Sequence, residues 1–335
     1  MAGRPHCKKQ KKIRAMEGFL TQFSLQFSKS IPLFLLIALG YALTRWGKFP
    51  KAGSDGLAKF AFSVALPAML FRLLSQMFKN QSSADPMLLV AFFGSCFIVF
   101  IAGHLFSNHV LKVGPVGASV FGTSLVFSNN GLLGLPLAIV MLGDEYVPSV
   151  AAVLSINAMV LWTLASFAAE LSQKSGALSL RALAQTARIV FRNPLIIAIF
   201  AGALWNLTQI ELPKAVDEPL RLLGNSATPL SLVAVGMGLA EYGIGVGLRT
   251  GACVTIGKLF IQPAMVFLLT RLIGLGPVES TAVVFLGSLP CAVNVYLMAK
   301  QFRVIEAEIA NAMVLTTLGS ALTVPLVVTL LQHFF

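Results

Sequence analysis

Charge is scarce in this chain. Charged residues make up 11% of its 335 residues and hydrophobic residues 56%, whereas roughly a quarter of the residues of a soluble domain are charged. A water-soluble protein of this length could not cover its surface with so few charges, so the composition excludes that class. Cysteine is rare as well, because only Cys7, Cys96, Cys253 and Cys291 are present, without a C-x-x-C pair. We therefore predict small packing residues at these positions, with no metal and no cofactor.

Acidic residues are missing from the middle of the apolar stretches. All 13 of them, from Glu17 to Glu308, fall in loops, in tails or at the ends of those stretches. Antiporters and proton pumps usually carry their ion on a carboxylate inside the membrane, so that machinery is not expected here. The chain also offers no nucleophile beside a base, which argues against an enzyme.

What the chain does contain is a series of long apolar stretches, and these predict ten membrane-spanning helices. A spanning helix needs roughly 20 residues. Runs such as 132–142 are apolar on all sides, which predicts helices and not the alternating strands of a barrel. The stretches are 29–45, 59–72, 86–111, 113–143, 146–169, 193–210, 222–240, 249–271, 280–299 and 309–335.

The two halves of the chain carry the same pattern of residues. Five spans in each half is an odd number, so the second half must enter the membrane from the opposite face, as in transporters with inverted repeats. We predict a basic N-terminal tail (1–30), a first repeat (31–170), a central cytoplasmic linker (171–192) and a second repeat (193–335). The matching residues are Pro32, Gly40, Pro50-Lys51-Ala52 and Ala65-x-Pro67 in one half, and Pro194, Gly202, Pro213-Lys214-Ala215 and Ala227-x-Pro229 in the other.

The basic residues in the loops predict the orientation. The loops on the side of the central linker hold eleven Lys and Arg and the opposite loops five, which places the linker in the cytoplasm and both termini outside. Six basic residues in the tail oppose this assignment, and translation from Met16 would remove them. The first span lacks a cleavage site and is predicted to be retained. The net charge of +12 is explained by the tail and by loops facing anionic lipid, without a nucleic acid.

Polar and helix-breaking residues concentrate in spans 4 and 9, the fourth spans of their halves. Proline and glycine interrupt helices, and unpaired backbone at this depth is tolerated only where it is buried in protein or lines a cavity. Half-helix N-termini and asparagine amides would then attract a carboxylate; the alternative is that these residues only kink the helices for packing. The residues concerned are Asn129, Asn130, Gly131, Gly134 and Pro136 in span 4, and Gly287, Ser288, Pro290 and Asn294 in span 9.

Four further polar residues are candidates for the pathway. Lys258 in span 8 could neutralise an anionic substrate or extend to the membrane interface. Asn157 in span 5, Asn225 in span 7 and Tyr296 in span 9 could line the pathway, with hydrogen bonding between helices as the alternative.

Four segments of the sequence resemble the auxin efflux carrier family, and the short linker resembles its bacterial malonate or organic-anion transporters. The resemblance implies ten helices in two inverted five-helix repeats, as in bile-acid symporters and sodium/proton antiporters. It also implies a scaffold of spans 1, 2, 6 and 7, an elevator unit of spans 3–5 and 8–10, and dimers in many members. The segments are 40–71, 128–138, 192–202 and 227–240. The substrate-binding residues that it implies are Asn129, Asn130, Gly131, Pro136, Pro290 and Asn294.

Together these observations predict a multi-pass secondary transporter of small carboxylates, such as malonate or auxin-like acids, in the cytoplasmic membrane. One alternative is a sodium-coupled symporter of the bile-acid type, which the missing membrane carboxylates disfavour. A second alternative is a membrane protein that does not transport. No catalytic cluster in the sequence supports it. The expected partners are the carboxylate and the lipid bilayer.

Overall fold

The computed structural model describes residues 4–47, 49–77, 85–172, 194–240 and 247–334. Within these ranges the chain forms helices joined by short loops, with one isolated antiparallel β-bridge and no β-strand. The predicted linker lies outside the described residues except for its first two. The helices are α1 (Arg4–Arg45), α2 (51–77), α3 (Met87–Leu111), α4 (Pro115–Val126), α5 (Asn130–Met141), α6 (Val147–Ser172), α7 (Pro194–Leu207), α8 (Lys214–Leu239), α9 (Leu248–Ile273), α10 (Pro277–Ser288), α11 (Val293–Phe302) and α12 (Glu306–Phe334).

Seven helices in the described part of the chain are long and apolar enough to cross a membrane. Many of their apolar side chains face outward; on α3, for example, Phe97, Ile101 and Leu105 are exposed. Exposed apolar surface on this scale is typical of contact with lipid. The seven segments are Met16–Arg45, Ala52–Gln76, Met87–Leu111, Asp144–Ala165, Lys214–Leu239, Leu248–Ile273 and Glu306–Phe334, and α4, α5 and α7 are shorter apolar helices.

Helix α1 joins the basic tail to the first span without interruption. It contains 42 residues, which corresponds to a length of about 63 Å. Gln26 and Ser30, near the end of the predicted tail, are buried, and the Gln26 amide donates a hydrogen bond of 3.2 Å to Gln332 on α12. The last residues of the tail segment are therefore packed against the bundle.

Two pairs of helices pack at glycine. Gly40 on α1 lies so close to α8 that a side chain there would collide with the carbonyl oxygen of Val233. On α7, a Cβ atom at Gly202 would lie 2.8 Å from the carbonyl oxygen of Phe71 on α2. Small residues allow this close approach of backbones, which is the principal means of helix association where lipid removes the hydrophobic driving force.

Four turns of π-helix interrupt the helices. A π-turn widens the backbone locally and is frequent at functional sites. Among the described residues, two of these four turns, those in α2 and α5, contribute residues to the cavity described below. The turns are Ala61–Ala65 in α2, Ser107–Leu111 in α3, Asn130–Gly134 in α5 and Gly257–Ile261 in α9.

The core of the bundle surrounds two short helix pairs, α4–α5 and α10–α11. Helix α3 packs on α4, where a Cβ atom at Gly122 would lie 2.8 Å from the carbonyl oxygen of Phe100. Helix α9 packs on α3 and α10, and α6 packs on α4. The two short pairs are thereby enclosed, and the points at which they change direction are buried.

Candidate functional site

The chain leaves the helical conformation between α4 and α5. Phe127 has φ −84° and ψ 95°, and Asn129 has φ −76° and ψ 61°. The break thus falls at residues 127–129, seven residues before Pro136. Pro136 lies inside α5, two residues after its π-turn Asn130–Gly134, where a proline lacks the N–H that would bond to a carbonyl of the preceding turn.

A second break separates α10 from α11. Leu289 has φ −70° and ψ 157°, and Ala292 has φ −77° and ψ 149°, so the chain is extended on both sides of Pro290. Here the proline lies within the break, where its missing N–H and fixed φ are compatible with extended backbone.

The two breaks meet and are joined through their main chains. Ser128 and Cys291 form the antiparallel bridge. The Asn129 N–H donates to the Pro290 carbonyl, and the Ala292 N–H donates to the Phe127 carbonyl, both at 2.9 Å. Each break therefore satisfies backbone groups of the other, which answers the requirement that buried N–H and C=O groups be paired.

Helix α12 supports this crossing from one side. The Cys291 N–H donates a hydrogen bond of 3.2 Å to the Thr316 hydroxyl, and the same hydroxyl donates to the carbonyl of Met313. Thr316 thus accepts a hydrogen bond from the Cys291 N–H, which has no helical partner because α10 ends before it.

A cavity of about 120 Å³ lies at the crossing, which is enough for several water molecules or a small acid. Helices α5 and α11 both begin at its wall, and the residue before each makes no side-chain capping hydrogen bond. No acidic or basic side chain is among its lining residues, which are Phe62, Phe127, Ser128, Asn129, Asn130, Gly131, Leu132, Leu154, Asn157, Leu195, Ala292, Val293 and Asn294.

Several buried polar atoms around this cavity have no hydrogen-bond partner. They are both side-chain atoms of the Asn130 amide, the Ser128 hydroxyl oxygen and the Asn157 amide oxygen. Asn130 is only 1% exposed. A buried amide without a partner costs roughly 1–3 kcal/mol, so three such residues around one cavity indicate groups that await a polar ligand.

Five of the predicted residues line this cavity, namely Asn129, Asn130, Gly131, Asn157 and Asn294. Pro290 belongs to the crossing itself, where its carbonyl accepts a hydrogen bond.

Four predicted residues lie elsewhere. Pro136 is buried in α5 and does not line the cavity. Asn225 is exposed on α8 and lines a separate cavity of about 360 Å³. Tyr296 is half-buried on α11, with its ring 5.2 Å from the Lys300 Nζ atom. Lys258 is fully buried on α9 and does not extend to the membrane interface.

Eight of the thirteen lining residues escaped the sequence analysis, and three of them, Ser128, Phe62 and Leu195, show why. Ser128 directly precedes Asn129 and could have been included on that ground. Phe62, on the π-turn of α2, and Leu195, in the first turn of α7, carry no chemical signal, because only the packing of α2 and α7 brings them to the cavity.

No metal site is found in the part of the chain that the structure describes. No group of three or more His, Cys, Asp or Glu side chains comes together there. The donors at the cavity are amides, a hydroxyl and helix N-termini, a set that suits an anion better than a metal cation.

A bundle of membrane-length helices around a polar cavity between two broken helices defines a membrane transport protein. The comparison with known families agrees, since the family described as “Membrane transport protein” matches residues 26–328. The chain belongs to this family, the auxin efflux carrier family that its sequence resembles. It is therefore a multi-pass membrane transporter and not an enzyme.

The chain is similar to curated proteins over nearly its whole length. It is 27% identical to the “Putative malonate transporter” of Rhizobium meliloti, over 88% of this chain and 92% of that protein. It is 23% identical to an uncharacterized transporter of Methanocaldococcus jannaschii, over 88% and 95% of the two chains. It is 20% identical to the auxin efflux carrier component 8 of Arabidopsis thaliana, over 92% and 96%.

Proposed function

We propose that this protein is a secondary transporter that carries small organic anions, with malonate as the leading candidate, across the cytoplasmic membrane. The observation that carries the proposal is the cavity at the crossing, where the buried Asn130 amide has no partner. The name of the Rhizobium meliloti relative supports the choice of malonate.

The chemistry of the cavity favours a carboxylate. Helices α5 and α11 direct their N-termini at it, and each N-terminus carries roughly half a positive charge. Asn129, Asn130 and Asn294 add amide donors. Since no carboxylate lines the wall, a bound anion would meet hydrogen-bond donors and no like charge.

The proposed fold is ten spans in two inverted five-helix repeats. Two features relate the halves by a shift of 162 or 163 positions. The hydrogen bond from Asn129 to Pro290 becomes the one from Ala292 to Phe127 when each residue is exchanged for its partner 163 positions away. Such a pair of bonds is what a two-fold axis through the crossing would produce.

The second feature is the glycine packing. The close approach of Gly40 to the Val233 carbonyl has its counterpart in the approach of Gly202 to the Phe71 carbonyl, with each residue shifted by 162 positions. Both contacts join helices of the proposed scaffold, α1 with α8 and α2 with α7. Helices α3–α6 and α9–α12 would form the moving unit, which carries the cavity across the membrane as an elevator. Dimers through the scaffold are part of the same proposal.

Uptake into proteoliposomes tests the function. A panel of labelled acids, malonate and indole-acetate among them, is offered with a proton gradient, a sodium gradient or neither. We expect saturable uptake of malonate by the wild type and at least a tenfold loss in Asn130→Leu and Asn294→Leu, since each loses a donor to a charged group. Asn225→Leu, exposed and outside the cavity, is the matched control. Unchanged uptake in both cavity variants would refute the assigned site.

The same assay decides between the two coupling schemes. Without a mid-membrane carboxylate, uptake should not require sodium. Uptake that depends on a sodium gradient would instead identify a symporter of the bile-acid type.

A further inference from the structure

Lys258 is an unusual residue in this bundle because it is charged and fully buried. It lies on the π-turn of α9 and is 0% exposed. Among the side chains that the structure describes, no other charged one is buried. An ionisable residue inside a membrane protein is costly, and its position requires a compensating partner.

One partner of Lys258 is the end of helix α10. The ammonium nitrogen donates a hydrogen bond of 2.7 Å to the carbonyl of Gly287, in the last turn of that helix. A helix C-terminus carries roughly half a negative charge. The helix end therefore compensates only part of the positive charge.

Among the residues that the structure describes, no carboxylate near Lys258 supplies the remainder. Lys258 is within electrostatic range of the thiols of Cys96 and Cys291. The acidic residues of the neighbouring helices α10 and α12 are in their first turns, at Glu279, Glu306 and Glu308, and α4 contains no ionisable residue.

A second buried polar residue of α9, Gln262, lies four residues further along the helix than Lys258. Its amide nitrogen faces the Ser95 hydroxyl at 3.3 Å and the Cys96 sulfur at 3.4 Å. Its buried carbonyl oxygen has no partner. The Gly287 carbonyl is therefore the oxygen acceptor that the structure gives the Lys258 ammonium group.

The Lys258 ammonium group is bonded to a residue that is close in sequence to the proposed anion site. Gly287 precedes Ala292, which lines the cavity, by five residues, so the two cannot be more than about 18 Å apart. Between them, Cys291 forms the bridge to Ser128, whose hydroxyl oxygen has no partner. The Lys258 ammonium group and an anion in the cavity would attract each other through a medium that contains little water.

We propose that Lys258 is the fixed counter-charge of the anion site, so that the affinity for a carboxylate rises with the number of negative charges that the acid carries. This proposal rests on the proposed function. It assigns to one residue the positive charge that the lining of the cavity lacks, and it makes dicarboxylates the favoured class of substrate.

Binding of malonate and of its monomethyl ester tests the role of the charge, because the two acids differ by one negative charge. The variants are Lys258→Met, which removes the charge, Lys258→Arg, which retains it, and Lys59→Met as a control at an exposed position of α2. We expect Lys258→Met to lose on the order of tenfold more affinity for malonate than for the ester, whereas Lys258→Arg and the control keep the wild-type ratio. An equal loss for both acids, or none, would overturn the counter-charge.

A second measurement examines, without any substrate, the cation position, that is, the place of the Lys258 ammonium group beside the Gly287 carbonyl. Methylammonium should raise the melting temperature of purified Lys258→Ala and leave that of the wild type unchanged, while sodium at the same ionic strength should not act on the variant. No stabilisation by methylammonium would contradict an ammonium-binding position at Gly287.

The two measurements separate the possible failures. If the wild type binds neither acid while methylammonium stabilises Lys258→Ala, the proposed function and the counter-charge fail and the cation position stands. If malonate binds and Lys258→Met keeps the wild-type ratio of affinities, the proposed function stands and the counter-charge is overturned.

Discussion

Replacing Asn130 by leucine should improve the stability of the protein while it weakens the binding of malonate. Asn130 is 1% exposed, and neither atom of its amide has a partner. Leucine has the same branching as asparagine, with two methyl groups in place of the amide oxygen and nitrogen, and it has nothing to hydrogen-bond. Relief of an unpaired buried amide should stabilise the substrate-free protein by about 1–3 kcal/mol. This corresponds to a rise in melting temperature on the order of a few degrees.

The same change removes a hydrogen-bond donor from a bound carboxylate. A hydrogen bond to a charged group contributes about 1.5–3 kcal/mol, so malonate affinity should fall roughly 10-fold to 150-fold. The gain in stability and the loss of affinity have one cause, since the amide is kept unpaired for the ligand.

The assay compares Asn130→Leu with Asn206→Leu. Asn206 is also buried, but its amide donates a hydrogen bond of 3.0 Å to the carbonyl of Ser75. Its replacement leaves that carbonyl unpaired and should lower the melting temperature. Thermal unfolding of both purified proteins, with and without malonate, gives stability and binding from one set of samples.

The reasoning would be refuted if Asn130→Leu lowered the melting temperature as much as Asn206→Leu does and still bound malonate. Asn130 would then be a structural residue with partners of its own, and the carboxylate would have to bind elsewhere.

Two further predictions concern the crossing and the packing of α1 on α8. Thr316→Val removes the acceptor of the Cys291 N–H and should cost about 1–3 kcal/mol together with a loss of transport. Thr317→Val, whose hydroxyl bonds only to its own helix, should have little effect in the same unfolding and uptake measurements. Gly40→Leu should clash at the interface of α1 and α8 and destabilise the protein by about 1–3 kcal/mol or more. Gly238→Leu, on α8 but facing open space, should leave the elution profile in size-exclusion chromatography unchanged.

The sequence was sufficient to predict the membrane class and to single out five of the residues that line the cavity at the crossing. Charges mark the ends of apolar helices because a charge inside the bilayer is costly, so the gaps between them follow the helices. The stretch Ser128-Asn129-Asn130-Gly131 is polar where its neighbours are apolar, and it falls at the break of span 4.

Other features depend on tertiary packing and leave no trace in a single sequence. Proline at 136 suggested the point of interruption, but the chain leaves the helical conformation at residues 127–129 and Pro136 lies inside the helix that follows. Phe62 and Leu195 reach the cavity only because α2 and α7 pack there. Lys258 was compatible with two roles, and only its burial excludes an extension to the interface.

The tail was another such case. Its basic composition gave no indication that Gln26 is buried and contacts Gln332 at the other end of the chain. A contact over 306 residues cannot be read from local pattern, because periodicity reports the face of a helix and not its neighbour.

The main-chain hydrogen bonds at the crossing make the backbone geometry of the site independent of the side chains that line the cavity. The bonds between residues 127 and 292 and between residues 129 and 290 use only N–H and C=O groups. Any residue except proline can donate at positions 129 and 292, and any residue can accept at 127 and 290. Side chains around the cavity can therefore be exchanged without loss of these bonds, so a new substrate preference can evolve on an unchanged backbone.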